Sequence, residues 1–259
     1  MISVAPGNAG TSGIANNIPL TTDSIDELAQ IADTLRSDLT IVGPEIPLSK
    51  GIVDLFQERG YPIFGPTRAA SRIESSKSFA RYLMKGYNIP SPKFKVFTNH
   101  SSALNFINNH NGPIVVKADG LAGGKGVFVC PTASSAKSAV DKCMKDKLFG
   151  LSGHKIVLEE HLEGPEVSVF TFTDGENISP LIAACDYKRL LDRDNGPNTG
   201  GMGAFSPPNF WSAQLETIVR NKILVPILKG LKQEGSLYKG IIYAGIMLTD
   251  TGPKVLEFN

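Results

Sequence analysis

Apolar residues recur at helical spacing at Ile25, Leu28, Ile31, Ala32 and Leu35, behind a capping-box pattern from Ser24 to Glu27, and predict a first helix. The apolar run LTIVG (39–43) then predicts a short strand ending in Gly43-Pro44-Glu45. A second helix over about 48–59 stops at Gly60, and YPIFGP follows as another strand. The chain itself opens in a strand-like SVAP. Strands alternating with helices imply a parallel sheet with helices on its faces. Ligands of such sheets lie beyond the carboxyl ends of the strands, so the loop after LTIV is a candidate site.

Residues 68–87 predict a helix with Phe79, Tyr82, Leu83 and Tyr87 on one face, stopped at Asn88-Ile89-Pro90 because proline disfavours helix in the residue before it. From about residue 93 the pattern changes to short β-rich runs: KFKVF, IVVKA, VFVC, KIVLEE and VSVFTF. One helix, over about 134–146, falls between the third run and the fourth. Asp174-Gly175 is a hairpin turn signal. Residues 212–233 predict an amphipathic helix interrupted or kinked at Pro226, and the chain closes in two strands around a TDTGP turn. The expected fold class is therefore a parallel α/β unit over 1–65, followed by a larger α+β unit over 66–259.

A length of 259 residues suits two compact units. With 41% hydrophobic and 20% charged residues, the composition is that of a soluble globular protein. A net charge of +1 offers no electrostatic reason to expect nucleic acid or an anionic membrane as partner. No apolar run approaches the ~20 residues that span a bilayer, and no signal peptide is visible. The three cysteines, Cys130, Cys143 and Cys185, lack CxxC spacing and read as ordinary thiols of a reducing cytosol, so a cytoplasmic protein is expected. None of the histidines or cysteines has a partner at catalytic spacing.

The chemistry concentrates in VVKADGLAGGKGVFV, residues 115–129. A Walker-type loop needs serine or threonine after its lysine, but Gly126 follows Lys125. A dinucleotide fingerprint needs a glycine at 129, which is Val129. What remains is strand, lysine, glycine-rich turn, strand. Such a hairpin can close backbone N–H groups over phosphates while lysines balance their charge. Read from its residues alone, the same stretch also suits a glycine-rich surface turn with solvated lysines.

Lys77 in the preceding helix, Lys117 ending the first strand, and IVLEEHLEGPEVSVF about thirty residues later form an ordered set that resembles the ATP-grasp superfamily. Within it the chain is similar to the phosphoribosylamine–glycine ligase family, also called glycinamide ribonucleotide synthetases. Six blocks carry the resemblance in order: PGNAGT (6–11), VGPEIPL (42–48), VVKADGLAGGKGV (115–127), VLEEHLEGPEVSVF (157–170), DYKRLLDRDNGPNTGGMGAFSP (186–207) and VLEFN (255–259). The resemblance implies a Rossmann-like N-terminal domain, then an ATP-grasp fold with a lid subdomain over about 93–165. It implies a reaction joining glycine to 5-phosphoribosylamine through a glycyl phosphate, with ATP consumed, in a monomeric parent enzyme.

The roles follow residue by residue from the same resemblance. Lys77 and Lys117 hold the α- and β-phosphates of ATP, and Gly123, Gly124, Lys125 and Gly126 form the lid. Glu159, Glu160 and Leu162 meet adenine through backbone groups, as a strand edge can, and Glu166 accepts from the ribose hydroxyls. Glu257 and Asn259, two apart on a strand and so on one face, ligate Mg²⁺ or Mn²⁺, while Leu256 and Phe258 face the other way. Lys117, Asp186, Lys188 and Arg189 form the catalytic set. Asn198, Thr199, Gly200, Gly201, Met202 and Gly203 contribute to the glycine and phosphoribosylamine site. Gly7, Asn8, Gly10 and Thr11, with Gly43, Pro44 and Glu45, are the N-terminal share of that pocket.

Relatives begin with an additional strand and a G-G-R-E-H turn, and continue after the last motif with R-F-G-D-P-E and a further domain. The chain is therefore expected to be an internal fragment that binds Mg-ATP weakly, forms little product, and tends to aggregate. Two alternatives stay open: an ATP-grasp ligase with another acid or amine, and a non-catalytic nucleotide-binding module.

Overall fold

Three apolar cores organise the protein, seen in a computed structural model that describes residues 1–192 and 195–259, with only the backbone described for Pro197 and Asn198. In the first, β1 (Ser3–Val4) pairs in parallel with β2 (Asn16–Asn17). Then come α1 (Ile25–Thr34), β3 (Thr40–Ile41), α2 (Glu45–Lys50), α3 (Ile52–Glu58) and β4 (Ile63–Phe64), with β3 and β4 parallel. Ala29, Leu48, Ile52, Val53 and Phe56 are the buried centre of this layer.

Three expectations for this layer are corrected. The strands form two separate parallel pairs rather than one sheet. The single helix over 48–59 is two helices, because Gly51 at φ 92° takes the left-handed conformation that ends α2 at no steric cost. Ser24 occupies the N-cap of α1, but its hydroxyl meets Thr21 Oγ1 at 3.1 Å and caps nothing, so the capping box does not form.

The helix expected over 68–87 is likewise divided, into α4 (Arg72–Ser75) and α5 (Lys77–Gly86). Ser76 between them is extended, and its hydroxyl caps α5 by accepting from Phe79 N. The buried face of α5 is Ala80, Arg81, Leu83 and Met84, whereas Tyr82, expected on one face with Leu83, is exposed.

The second core lies on the sheet β5 (Phe94–Phe97), β6 (Ile114–Ala118), β7 (Val127–Cys130) and β8 (Ile156–Glu160), in spatial order β5-β8-β6-β7 with every pair antiparallel. Two helices cover one face: α6 (His100–Asn108) and α7 (Ala133–Val140), the latter extended by a π turn over Asp141–Lys145. Helix α6 was not expected. Its signals are Asn99, which caps by accepting from Ser102 N, and Ala103 and Ile107 one turn apart in the core.

The third and largest core lies under the five-stranded sheet. Its strands are β9 (Glu166–Thr173), β10 (Ile182–Asp186), β13 (Ala204–Phe205), β14 (Gly240–Thr249) and β15 (Gly252–Phe258), ordered β13-β10-β9-β14-β15. A separate hairpin, β11 (Arg189–Leu191) with β12 (Asn195–Asn198), stands outside that sheet. Helix α5 packs on the sheet with α8 (Ala213–Val219) and α9 (Val225–Gln233). The expected kink at Pro226 is a π turn over Arg220–Leu224, just upstream, because proline offers no N–H to the carbonyl four residues before it. The Asp174-Gly175 turn and the final hairpin form as expected, the Asp174 carboxylate accepting from the backbone of Glu176 and Asn177. Among the described residues no helix is long and apolar enough to cross a membrane.

One glycine joins the two large sheets. Gly164, between β8 and β9, lies at φ 142°, and a Cβ there would overlap the carbonyl of Leu248 in β14. Gly164→Ala is therefore expected to destabilise the fold by about 2 kcal/mol or more in urea unfolding, and an unchanged midpoint would contradict this packing.

Candidate active site

A cavity of about 500 Å³ opens between the four-stranded and five-stranded sheets. Lys77, Lys117, Gly123, Gly124, Gly126, Glu159, Glu160, Leu162, Glu166, Lys188, Thr199, Glu257 and Asn259 all line it, as does Glu45 from the N-terminal layer. Residues far apart in sequence thus share one hollow.

Its floor is a buried charge cluster. Arg81 binds Glu159 through two nitrogens, with Nη2 at 2.7 Å from Oε2, and both side chains are 2% exposed. Lys117 Nζ lies 3.0 Å from the same Oε2. Lys117 also donates to the carbonyl of Leu256 at 3.0 Å, and Arg81 Nη2 donates to that carbonyl at 2.7 Å. Arg81 Nη1 takes the carbonyl of Val255 at 3.0 Å. Burial alone would raise the Glu159 pKa, but Lys117 and then Arg81 outweigh it and hold the carboxylate below its ordinary range. Arg81 was not singled out from the sequence, where a cation inside an amphipathic helix reads as solvated.

The expectation that Glu159 presents a free strand edge is not met. Strand β8 lies between β5 and β6, and Glu159 pairs with Phe94 on one side and Val115 on the other. Glu160 N is likewise taken, by the carbonyl of Lys93 at 2.9 Å. Leu162, beyond the strand, lines the cavity together with Glu160.

Lys77 stands at the first turn of α5, and its backbone explains why. The carbonyl of Asp119 accepts from Lys77 N at 2.9 Å, the Asp119 carboxylate accepts from Ser78 N and Ser76 Oγ, and Lys155 Nζ is 3.5 Å away. Asp119 thus ties the glycine-rich loop to the start of α5, where a helix N-terminus favours an anion. Lys77 Nζ reaches the carbonyl of Gly120 at 3.2 Å. Burial lowers the Lys77 pKa, Glu257 opposes the fall and Lys117 adds to it. The loop itself is a turn closed by Lys125 N donating to Ala122 O, with Gly123 and Gly124 at positive φ. Lys125 is exposed outside the cavity lining.

Glu257 and Asn259 both line the cavity. The pairing of Gly245 with Glu257 and of Ile246 with Val255 leaves Leu256 as the extra residue of a β-bulge. Leu256 and Phe258, expected to face away, both border the cavity as well. Among the described residues no three His, Cys, Asp or Glu side chains could hold a metal together. Two oxygen donors fit Mg²⁺, which keeps several waters and is completed by phosphate oxygens.

Just beyond β10 of the same five-stranded sheet, Lys188 Nζ donates to Glu166 at 2.6 Å and lies 3.9 Å from Asp186. Burial would lower the Lys188 pKa, but the Glu166 bond prevails and raises it. The glycine-rich loop wraps this strand end: Thr199 N donates to Lys188 O at 2.6 Å, Met202 N to Tyr187 O at 2.7 Å, and Tyr187 N to Gly203 O at 2.9 Å. Gly201, at φ 114°, supplies the left-handed residue of that wrap, next to Gly200. Arg189 points to the carbonyl of Gly196 instead of the cavity. The Asn198 side chain lies outside the described residues. Gly7, Asn8, Gly10 and Thr11 form a separate turn, in which Asn8 Oδ1 accepts from Gly10 N and Thr11 N. That turn and Gly43-Pro44 are outside the cavity lining.

Three main-cavity features set the chain among ATP-grasp proteins: two sheets, two lysines beside a glycine hairpin, and an acid–amide pair on the last strand. The fold is similar to that of biotin carboxylase from Campylobacter jejuni, solved as a β,γ-ATP complex, with a TM-score of 0.74 at 17% identity, covering 99% of this chain and 58% of that one. Residues 1–74 match the family model of the phosphoribosylglycinamide synthetase N domain, and residues 75–259 that of its ATP-grasp (A) domain, so the chain belongs to the phosphoribosylglycinamide synthetase family. It is 46% identical to the phosphoribosylamine–glycine ligase of Caldanaerobacter subterraneus over 100% of its own length and 62% of that relative's. It is also similar to the phosphoribosylamine–glycine ligase structure from Thermotoga maritima, with a TM-score of 0.81 at 31% identity, covering 98% of this chain and 61% of that one. The chain thus spans about three fifths of the curated relatives it matches.

Glu74, at the end of α4, was missed in the sequence and also lines the cavity. Burial first, then the charges of Glu45 and Glu257, raise its pKa from 4.5 to about 7 against the pull of Lys77. The folded state therefore holds a proton that the unfolded chain has released. The associated stabilisation is present below the unfolded pKa of 4.5 and is lost as pH rises through about 7. Partial exposure limits it to about 2 kcal/mol. In metal-free buffer, Glu74→Gln is expected to flatten the fall in thermal stability between about pH 5 and pH 8. Parallel pH profiles for the two proteins would contradict the assignment.

Proposed function

We propose that the chain carries the nucleotide site of an ATP-dependent carboxylate–amine ligase of de novo purine biosynthesis. Its reaction joins glycine to 5-phosphoribosylamine through a glycyl phosphate, giving glycinamide ribonucleotide, ADP and phosphate. The observation that carries the reading is the convergence of Lys77, Lys117, the glycine hairpin, Glu166, Glu257 and Asn259 on one cavity between two sheets.

A carboxylate is a poor electrophile, so the work asked of the protein is to position a phosphoryl donor, neutralise its charge and hold the acyl phosphate for amine attack. Lys77 and Lys117 supply fixed positive charge to the phosphates, and the hairpin through Gly123 to Gly126 closes over them. Leu162 and the segment around it accommodate the base, and Glu166 the ribose hydroxyls. Glu257 and Asn259 are the residues that would hold Mg²⁺ or Mn²⁺, which supplies charge neutralisation to the phosphate oxygens when bound. Lys188, paired to Glu166 and near Asp186, is placed to orient the glycine carboxylate or the amine, within the wrap of Thr199 to Gly203. Arg189, Gly7, Asn8, Gly10, Thr11, Gly43, Pro44 and Glu45 are assigned by family resemblance to the remainder of the acceptor site. Three buried free thiols suit a reducing compartment, and we read the parent protein as cytoplasmic and monomeric.

The test is ADP release by the purified full-length parent protein with Mg-ATP, glycine and phosphoribosylamine, each acceptor omitted in turn. Release is expected only with glycine present, with full turnover needing both, and Lys117→Met is expected to lower it by about 100-fold. ADP release indifferent to both acceptors, or restored by a different amino acid, would contradict the assignment.

A further inference from the structure

The arrangement around Lys117 goes further than its assignment as a phosphate-holding residue. Lys117 Nζ has two protein acceptors, Oε2 of Glu159 and the carbonyl of Leu256, each at 3.0 Å. Arg81 holds both of them: its Nη2 reaches Glu159 Oε2 and the Leu256 carbonyl, each at 2.7 Å. Its other nitrogens take Glu159 Oε1 and the carbonyl of Val255. An ammonium has three donors, so with two engaged, one remains for the cavity that Lys117 lines.

The charge balance points the same way. Two buried cations, Arg81 and Lys117, face one buried carboxylate, Glu159. Without Arg81, Glu159 and Lys117 would neutralise each other and leave the cluster itself with no positive charge to offer a ligand. With it, the cluster carries a surplus of one positive charge in a site shielded from water, where charge acts most strongly.

We propose that Arg81 is a positioning residue for the nucleotide: it fixes both acceptors of Lys117 and neutralises Glu159, so that one ammonium donor and one net positive charge are presented to the phosphates. This rests on the reading of the cavity as an ATP site. Arg81 borders the same cavity, but its N–H donors are taken up by Glu159, Met84 Sδ and the carbonyls of Val255 and Leu256, so it acts through Lys117. The fork of a guanidinium suits the task, since it meets four oxygens at once in a fixed plane, which an ammonium cannot do.

The experiment is calorimetric titration of the 259-residue chain with Mg-ATP and, separately, with adenosine, at a temperature where each variant is folded. Arg81→Met is expected to weaken ATP by about tenfold or more while leaving adenosine, which has no phosphates, unchanged. Adding Glu159→Gln to Arg81→Met removes the carboxylate that would otherwise sequester Lys117, and is expected to recover most of the ATP affinity. Arg81→Lys keeps the charge but loses the fork, and serves if Arg81→Met does not fold; it is expected to lower ATP affinity about threefold with adenosine again unchanged. ATP affinity equal to that of the parent in these variants, or an equal loss for ATP and adenosine, would overturn the proposal while leaving the nucleotide reading intact. A parent chain that binds neither ligand would overturn the nucleotide reading and this inference with it.

Discussion

A carboxylate buried between two cations is the constraint on which the cavity depends. Glu159 is on β8 of the smaller sheet, Lys117 on its neighbour β6, Arg81 on the helix beneath the larger sheet, and the two carbonyls that complete the cluster belong to β15. The network therefore ties both sheets and a helix at one point. Three charges taken out of water are expensive, and their mutual attraction only offsets that cost when every donor and acceptor is used. Among the described residues no buried side-chain nitrogen or oxygen is left without a partner. Removing one member of such a cluster costs about 3–5 kcal/mol, since it strands the others. The cluster holds geometry more than it adds net stability.

Above that floor the site mixes charge of both signs. Lys77 and Lys117 line it with Glu45, Glu74 and Glu257, and Glu257 and Glu74 both act on Lys77. A polyphosphate with a bound divalent cation has the complementary pattern, negative toward the lysines and positive toward the carboxylates. Asp119 keeps the lysines in order: it follows Ala118, whose N–H closes the hairpin base on the carbonyl of Gly126, and it accepts from Lys77 N and Ser78 N at the start of α5. The hairpin turn has no such tie of its own: Gly123 and Gly124 have nothing within contact range of a Cβ. A loop with a fixed base and an unpacked tip is suited to closing over a ligand.

Much of this was legible in the sequence, for physical reasons. The strand–lysine–glycine hairpin is local, and its alternation and turn residues specify it without help from the rest of the chain. The period of two along β15 places Glu257 and Asn259 together, and Asp174-Gly175 announces its turn. What escaped notice depends on tertiary partners. Ser76 breaks a helix because Asp119, far along the chain, offers the backbone a better bond. Arg81 looks solvated until Glu159 is known to lie against it. The bulge at Leu256 exists only through the pairing with β14. The hairpin of β11 and β12 is invisible to periodicity because its first strand, Arg189–Leu191, is exposed and its second, NGPN, reads as a turn.

The most direct measurement is a crystal structure of the protein with Mg²⁺ and a non-hydrolysable ATP analogue. The account predicts phosphate oxygens within about 3 Å of Lys117 Nζ and Lys77 Nζ, with Glu159 still clamped by Arg81 and the base beside Leu162. A nucleotide seated elsewhere, or one bound in this cavity with Lys117 and Arg81 both drawn away from Glu159, would contradict it.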